Sequence, residues 1–143
     1  MTTSDRTTPS SSRTLTQLVA TVFGAVYVVV GILGFFVDSD GFAATHGGKL
    51  LGLFEVNPLH NIAHLAIGAV LVLASGSLRS ARAAVGVIGA AYLLLAVVGP
   101  FIHDSDINIL ALNGADDGLH IASALLLLGV ALVADKARPR AAV

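Results

Sequence analysis

Four apolar runs alternate with short polar stretches along the chain, at 15–37, 58–74, 83–102 and 115–134. A membrane-spanning helix needs about 20 apolar residues in a row. The third run contains no Asp, Glu, Lys or Arg. The second and fourth are shorter and gather their polar groups near their starts. A helix of a water-soluble bundle shows a polar face at a 3.6-residue period. The inner halves of these runs show none. The first run is also longer than the apolar core of a secretory signal, about 7–15 residues. The pattern therefore predicts an all-α, polytopic membrane protein with four transmembrane helices.

The polar stretches between the runs carry the punctuation. Asn57 precedes the second run and Pro58 opens it. An asparagine cap followed by proline in the first turn, where a missing N–H costs nothing, is a strong helix start. Asn113 is the matching cap for the fourth run. Between the first two helices, Gly47-Gly48 breaks the chain, and 50–54 (LLGLF) is apolar but too short to cross a bilayer. The expectation there is a re-entrant or interface-lying segment over the mouth of the bundle. Residues 1–14 are rich in Ser and Thr and are read as a disordered tail. Residues 15–135 form the membrane domain, and 136–143 a basic tail.

The two caps also mark a repetition. Asn57-x-x-His60-Asn61-x-x-His64 aligns with Asn113-x-x-Asp116-Asp117-x-x-His120, and Leu53-Phe54 before the first aligns with Ile109-Leu110 before the second. Upstream, Gly24-Ala25-x-Tyr27 matches Gly89-Ala90-x-Tyr92, and Asp38-Ser39-Asp40 matches Asp104-Ser105-Asp106. The chain reads as two helical hairpins of one design, about 15–75 and 83–135. Each has two spans, so the copies share one orientation. They are parallel repeats about an axis along the membrane normal.

Composition agrees with lipid as the solvent. The 143 residues are 55% hydrophobic and 12% charged, against about 25% charged in ordinary soluble domains. Mean hydropathy is +0.86. With no cysteine, disulfides and thiolate ligands are excluded. A net charge of −1 leaves no bulk footprint for nucleic acid. The placement of charge says more. Arg6, Arg13, Arg79, Arg82, Lys136, Arg138 and Arg140 fall on one side of the expected spans, and only Lys49 on the other. The positive-inside rule makes the first side cytoplasmic, with both termini inside. The localisation expected is the cell membrane, multi-pass.

The string at 53–65 (LFEVNPLHNIAHL) and that at 112–120 (LNGADDGLH) resemble a family of small bacterial four-helix membrane proteins, the domain of unknown function 4383. The resemblance covers about residues 15–135. Family members often read Asp-Asn where this chain has Asp116-Asp117. The resemblance implies a fold and a membrane location and brings no activity with it.

Any chemistry must come from the helix starts. His60 and His64 share a face, as do Asp116 and His120, since residues four apart are neighbours on a helix. The first reading is a hydrogen-bonded polar core of His60, His64, Asp116 and His120, with Asn57, Asn61, Asn113 and Asp117 around it. In lipid, polar and small side chains do the joining between helices. The second reading is a metal site in which the same three histidines and Asp116 bind zinc or a similar ion. A haem between His64 and His120 is a third. A proton path is a fourth, but Tyr27 and Tyr92 are expected deeper in the span, leaning away from the histidines. Glu55 is expected as a solvated loop carboxylate, or as a gate or fifth ligand above His60. His103 is expected at the interface and His46 without a partner. No Walker loop, GxGxxG, GxSxG or CxxC occurs, and the chain leans away from being an enzyme. The role expected is a membrane scaffold or accessory subunit. Its partners are the lipid bilayer and either itself or a larger membrane complex.

Overall fold

The computed structural model describes residues 12–135. Its order is α1 (Leu15–Gly34), β1 (Gly48–Leu50), β2 (Phe54–Val56), α2 (Pro58–Ala74), α3 (Leu78–Val98), a 3-10 turn (Gly99–Phe101) and α4 (Gly114–Val133). The two expected tails, 1–14 and 136–143, lie outside the described residues except at 12–14. Thr14 caps α1 in a reciprocal box with Gln17, each side chain taking the other's backbone N–H at 3.3 and 3.1 Å.

Three helices, including the continuous stretch Leu78–Phe101, are long and apolar enough to cross a membrane. The fourth, α2, has 17 residues. At 1.5 Å per residue it rises about 26 Å, near the lower limit for a span. Two boundaries differ from the sequence pattern. α1 stops at Gly34 rather than 37. α3 starts at Leu78 rather than 83, because Ser77 caps it by accepting the Ser80 N–H at 3.2 Å. Arg79 and Arg82 thus belong to the first turns of α3, where their long stems suit the edge of a span.

The segment expected to be re-entrant or interface-lying folds as a β-hairpin. β1 and β2 pair antiparallel, with Gly48 opposite Val56 and Leu50 opposite Phe54. Short strands answer the same need as a helix, satisfying backbone N–H and C=O groups that would otherwise be exposed to an apolar surrounding. Leu51 and Gly52 close the turn with φ of 54° and 73°.

The burial pattern is that of a lipid-solvated bundle. Side chains such as Leu73, Val87, Leu125 and Val133 point outward and are exposed. The interior is made of small and polar residues, among them Ala20, Ala81, Ala124, Asn57, Asn61 and Asn108, filled in by Leu71, Val85 and Leu127. α1 packs on α2 and α3 on α4, with slighter contact between the two hairpins. Glycines bring the paired helices together. A β-carbon on Gly68 would meet the Gly24 carbonyl and the Val28 nitrogen, and one on Gly89 would press on Leu127 and Leu128.

At the end holding the helix-1 start, the chain is tied by polar contacts. Gln17 Nε2 donates to the Ser75 carbonyl at 3.0 Å, and the Arg82 guanidinium donates to the Ala134 carbonyl. The Thr16 N–H donates to Asp135 Oδ2 at 2.8 Å. A carboxylate at a helix N-terminus is favoured, and this bond holds Asp135 below the ordinary carboxylate range. A depressed folded-state pKa gives stability that is present above the unfolded value, about 3.9, and lost as pH falls through the folded value. Amide exchange at the start of α1 in detergent is therefore expected to speed up between pH 5 and pH 3 in the wild type, beyond the intrinsic pH effect. In Asp135→Asn that extra acceleration should be absent. Equal profiles for the two proteins would remove the role given to this carboxylate.

Candidate functional site at the loop end of the bundle

The other end of the bundle holds the histidines, asparagines and aspartates named from the sequence as candidate site residues. Asn57 caps α2 by accepting the His60 N–H on Oδ1 at 2.8 Å. Its Nδ2 donates to the Ala44 carbonyl and to the Ile109 carbonyl, both at 2.8 Å. The side chain is fully buried and uses both donors and its acceptor. Asn113 caps α4, accepting the N–H groups of Ala115 and Asp116 at 2.9 and 3.1 Å, while Asp116 Oδ2 returns to the Asn113 N–H at 3.0 Å. Asn113 Nδ2 donates to the Leu53 carbonyl at 2.9 Å. Each cap therefore donates into the other hairpin, to the carbonyl four residues before that hairpin's own cap.

A second pairing recurs one turn into each helix. Asn61 lies against Gly34 so closely that a β-carbon there would collide with its amide. Asp117 lies against Gly99 in the same way. The absence of a side chain at each helix-end glycine is what admits a polar group from the neighbouring helix. Asp117 Oδ2 is also 2.8 Å from His103 Nε2.

The rings form a row. His60 and His64 are 4.5 Å apart between centroids, and His64 stacks on Tyr27 at 5.6 Å with an interplanar angle of 9°. Tyr27 meets Tyr92 at 5.6 Å, and Tyr92 stacks on His120 at 4.8 Å and 17°. The row crosses from one hairpin to the other at the two tyrosines. This corrects the expectation that the tyrosines lie deeper and turn away. Because α1 ends at Gly34 and α3 at Val98, each tyrosine is about 9–10 Å from its helix end, and His64 and His120 are about 9 Å from theirs. The four groups share one level.

The carboxylates do not serve the histidines as expected. Asp116 turns to the Asn113 N–H and faces the main chain of Glu55. Asp117 turns to His103. Among the described residues, the ion-pair contacts involving histidine are His103 with Asp117 and His46 Nδ1 with Glu55 Oε2 at 3.7 Å. Glu55 also accepts the Gly47 N–H at 3.4 Å and so braces the β-hairpin. The Nδ1 atoms of His60, His64 and His120 are buried without a protein partner among the described residues, while the Tyr92 side chain has that of Tyr27 as its neighbour. Among the described residues, no group of three or more His, Asp or Glu side chains is arranged to hold a metal ion. The cavity beside the ring row is about 280 Å³. That is slightly under the usual range for small-molecule sites, about 300–1,000 Å³.

Asn108 escaped the sequence reading altogether. It is 1% exposed, accepts the Leu112 N–H at 2.8 Å, and its Nδ2 faces the carbonyls of Leu112, His103 and Thr45 at 3.0–3.2 Å. It folds the second loop on itself and onto the first. No spacing rule finds such a residue. Tyr27 and Tyr92 stand at matching places in the sequence, but the sequence sets them deeper than the histidines.

No curated protein and no solved structure matches this chain. One family model does, over residues 17–133, which takes in all four helices and both loops. The chain belongs to the family described as domain of unknown function 4383.

Proposed function

We propose that this is a multi-pass protein of the bacterial cell membrane, with both termini cytoplasmic, serving as a scaffold or accessory subunit. In this reading it is built from two copies of one hairpin, and the histidine, asparagine and aspartate side chains of the loop end lock the copies together in the outer leaflet. The observation that carries the reading is the reciprocal exchange between caps, Asn57 to Ile109 and Asn113 to Leu53. Such reciprocity is what a two-fold relation between like units produces. Polar bonds of this kind hold helices together where lipid supplies no hydrophobic drive. The outward apolar side chains leave the whole girdle available to lipid or to neighbouring subunits.

Topology is testable without background, because the wild type has no cysteine. Leu51→Cys at the β-hairpin tip and Gly76→Cys in the α2–α3 turn both sit at exposed positions. With a membrane-impermeant maleimide on intact cells, Leu51→Cys is expected to label and Gly76→Cys to label only after lysis. The reverse pattern refutes the orientation. For the accessory role, extraction in mild detergent should yield an assembly larger than one 14.5 kDa chain. A single chain in its micelle, at native expression, would argue against it.

A further inference from the structure

Charge is divided between the two ends of the bundle. The loop end holds seven of the nine acidic side chains and one of the eight basic ones. At the opposite end, among the described residues, Arg13, Arg79 and Arg82 stand against a single carboxylate, Asp135. That carboxylate takes the Thr16 N–H at 2.8 Å, and Arg13 donates to the Thr21 hydroxyl at 3.0 Å. Neither Arg79 nor Arg82 has a carboxylate partner among the described residues.

The place of these two arginines is also unusual. A helix start is the positive end of the helix dipole and favours acidic side chains. The first turn of α3 has none, and carries Arg79 with Arg82 just behind it. Two cations there repel the dipole and each other, a cost that an anion would relieve. Three residues apart, they share a face of the helix. They line an open groove together with Leu78 and Ala83. Arg82 is held in place, because its guanidinium donates to the Ala134 carbonyl at the end of α4. Arg79 is exposed.

We infer that this groove binds the phosphodiester head of an anionic membrane lipid, with one acyl chain lying along the outer face of α3. Guanidinium groups pair with phosphate oxygens through a rigid fork of donors. A zwitterionic head would bring its own cation to the groove and gain less from two arginines. The apolar half of the site selects a lipid over a free anion. Leu78 and Ala83 are groove walls that inorganic phosphate would not use. From Ala83 towards the middle of the bundle, Gly86 and Ala90 follow at a helical period, with Val87 and Leu94 standing out beside them. A methyl added to Gly86 would lie 3.6 Å from Ala131, so this shallow track runs near the seam of α3 and α4. The inference rests on the placement in a bilayer, and not on the scaffold role or on which end is cytoplasmic.

Native mass spectra of the full chain supply the test, with the protein released from a neutral detergent that holds phosphatidylglycerol and phosphatidylcholine of matching chains in equal amounts. One phosphatidylglycerol per chain is expected to be retained in preference to phosphatidylcholine. A basic residue near the headgroups is worth about fivefold in binding, so Arg79→Gln should weaken retention by about that factor with an unchanged thermal midpoint. Ala83→Phe fills the groove from an exposed position without altering charge, and should weaken it too. Arg13→Gln removes an equal charge at the same end but outside the groove, and should retain the lipid as wild type does. Equal losses in Arg13→Gln and Arg79→Gln would mean a diffuse field in place of a site, and overturn the inference. Undiminished retention in Ala83→Phe, or equal retention of the two lipids, overturns it as well. Displacement of the lipid by inorganic phosphate at equal concentration means that the anion alone is recognised, and rejects a lipid as the occupant. A chain found in the soluble fraction would remove the membrane placement itself, whereas an inserted chain without the lipid preference removes this inference alone.

Discussion

Asn57→Ala should be among the most damaging single truncations in this protein. It strands the His60 N–H and the carbonyls of Ala44 and Ile109, all of which now end on one buried amide. Unsatisfied buried groups cost about 1–3 kcal/mol each in water-soluble proteins. Polar contacts in membrane bundles average lower, since the unfolded chain in lipid also finds partners. A loss of about 3 kcal/mol is expected, read as a lower denaturant midpoint in detergent. Asn113→Ala removes a cap that is less enclosed and should cost about 1–2 kcal/mol. If the two caps lock the hairpins jointly, the double variant will depart from additivity by more than about 0.5 kcal/mol. A strictly additive pair, or an Asn57→Ala loss below that figure, would show that the caps serve only their own helices.

The second large effect concerns the crossing of α1 and α2. Gly68→Ala places a β-carbon under 3 Å from the Gly24 carbonyl and the Val28 nitrogen. Both are helix backbone, so neither can swing aside. The helices must part, losing contact along their length. In lipid that contact is the main cohesive term, and about 1–3 kcal/mol of destabilisation is expected from overpacking of this kind. Gly118→Ala and Gly129→Ala are the controls. Nothing lies within 4 Å of either added methyl, and alanine is the better helix former by about 1 kcal/mol. Their midpoints should stay level or rise. If Gly68→Ala proves as harmless as these two, close backbone contact at Gly68 does not hold α1 against α2.

Both predictions act through features that were only partly legible beforehand. The Asn57 and Asn113 caps were readable because capping is local. The residue, the proline after it and the apolar run behind it all lie within one turn. The equivalence of Leu53 with Ile109 was readable too, as a repetition of sequence. That each cap would reach across to the other's equivalent residue was not, since a donor's second partner is chosen by what the fold brings near. The same holds for Asp116 and Asp117. Their spacing from His120 promised ring partners. Yet Asp116 closes its own capping box and Asp117 finds His103, which the 3-10 turn after Val98 delivers. The tyrosines were misplaced for a simpler reason. The apolar pattern continues past Gly34, so it overstates the length of α1 and sinks Tyr27 below its true level.

By itself, then, the sequence determined the four helices, their apolar girdle, their caps and the family to which the chain belongs. These follow from hydropathy, period and local hydrogen bonding, which act between near neighbours. Only the tertiary structure decided that the loop between α1 and α2 pairs as β-strands, that glycines at 34 and 99 make room for Asn61 and Asp117, and that Asn108 knits the two loops. It alone brought His60, His64, Tyr27, Tyr92 and His120 into one row beside a cavity. Those residues are up to 93 positions apart. What sets them against each other is the close approach of helix backbones, a property of no single segment.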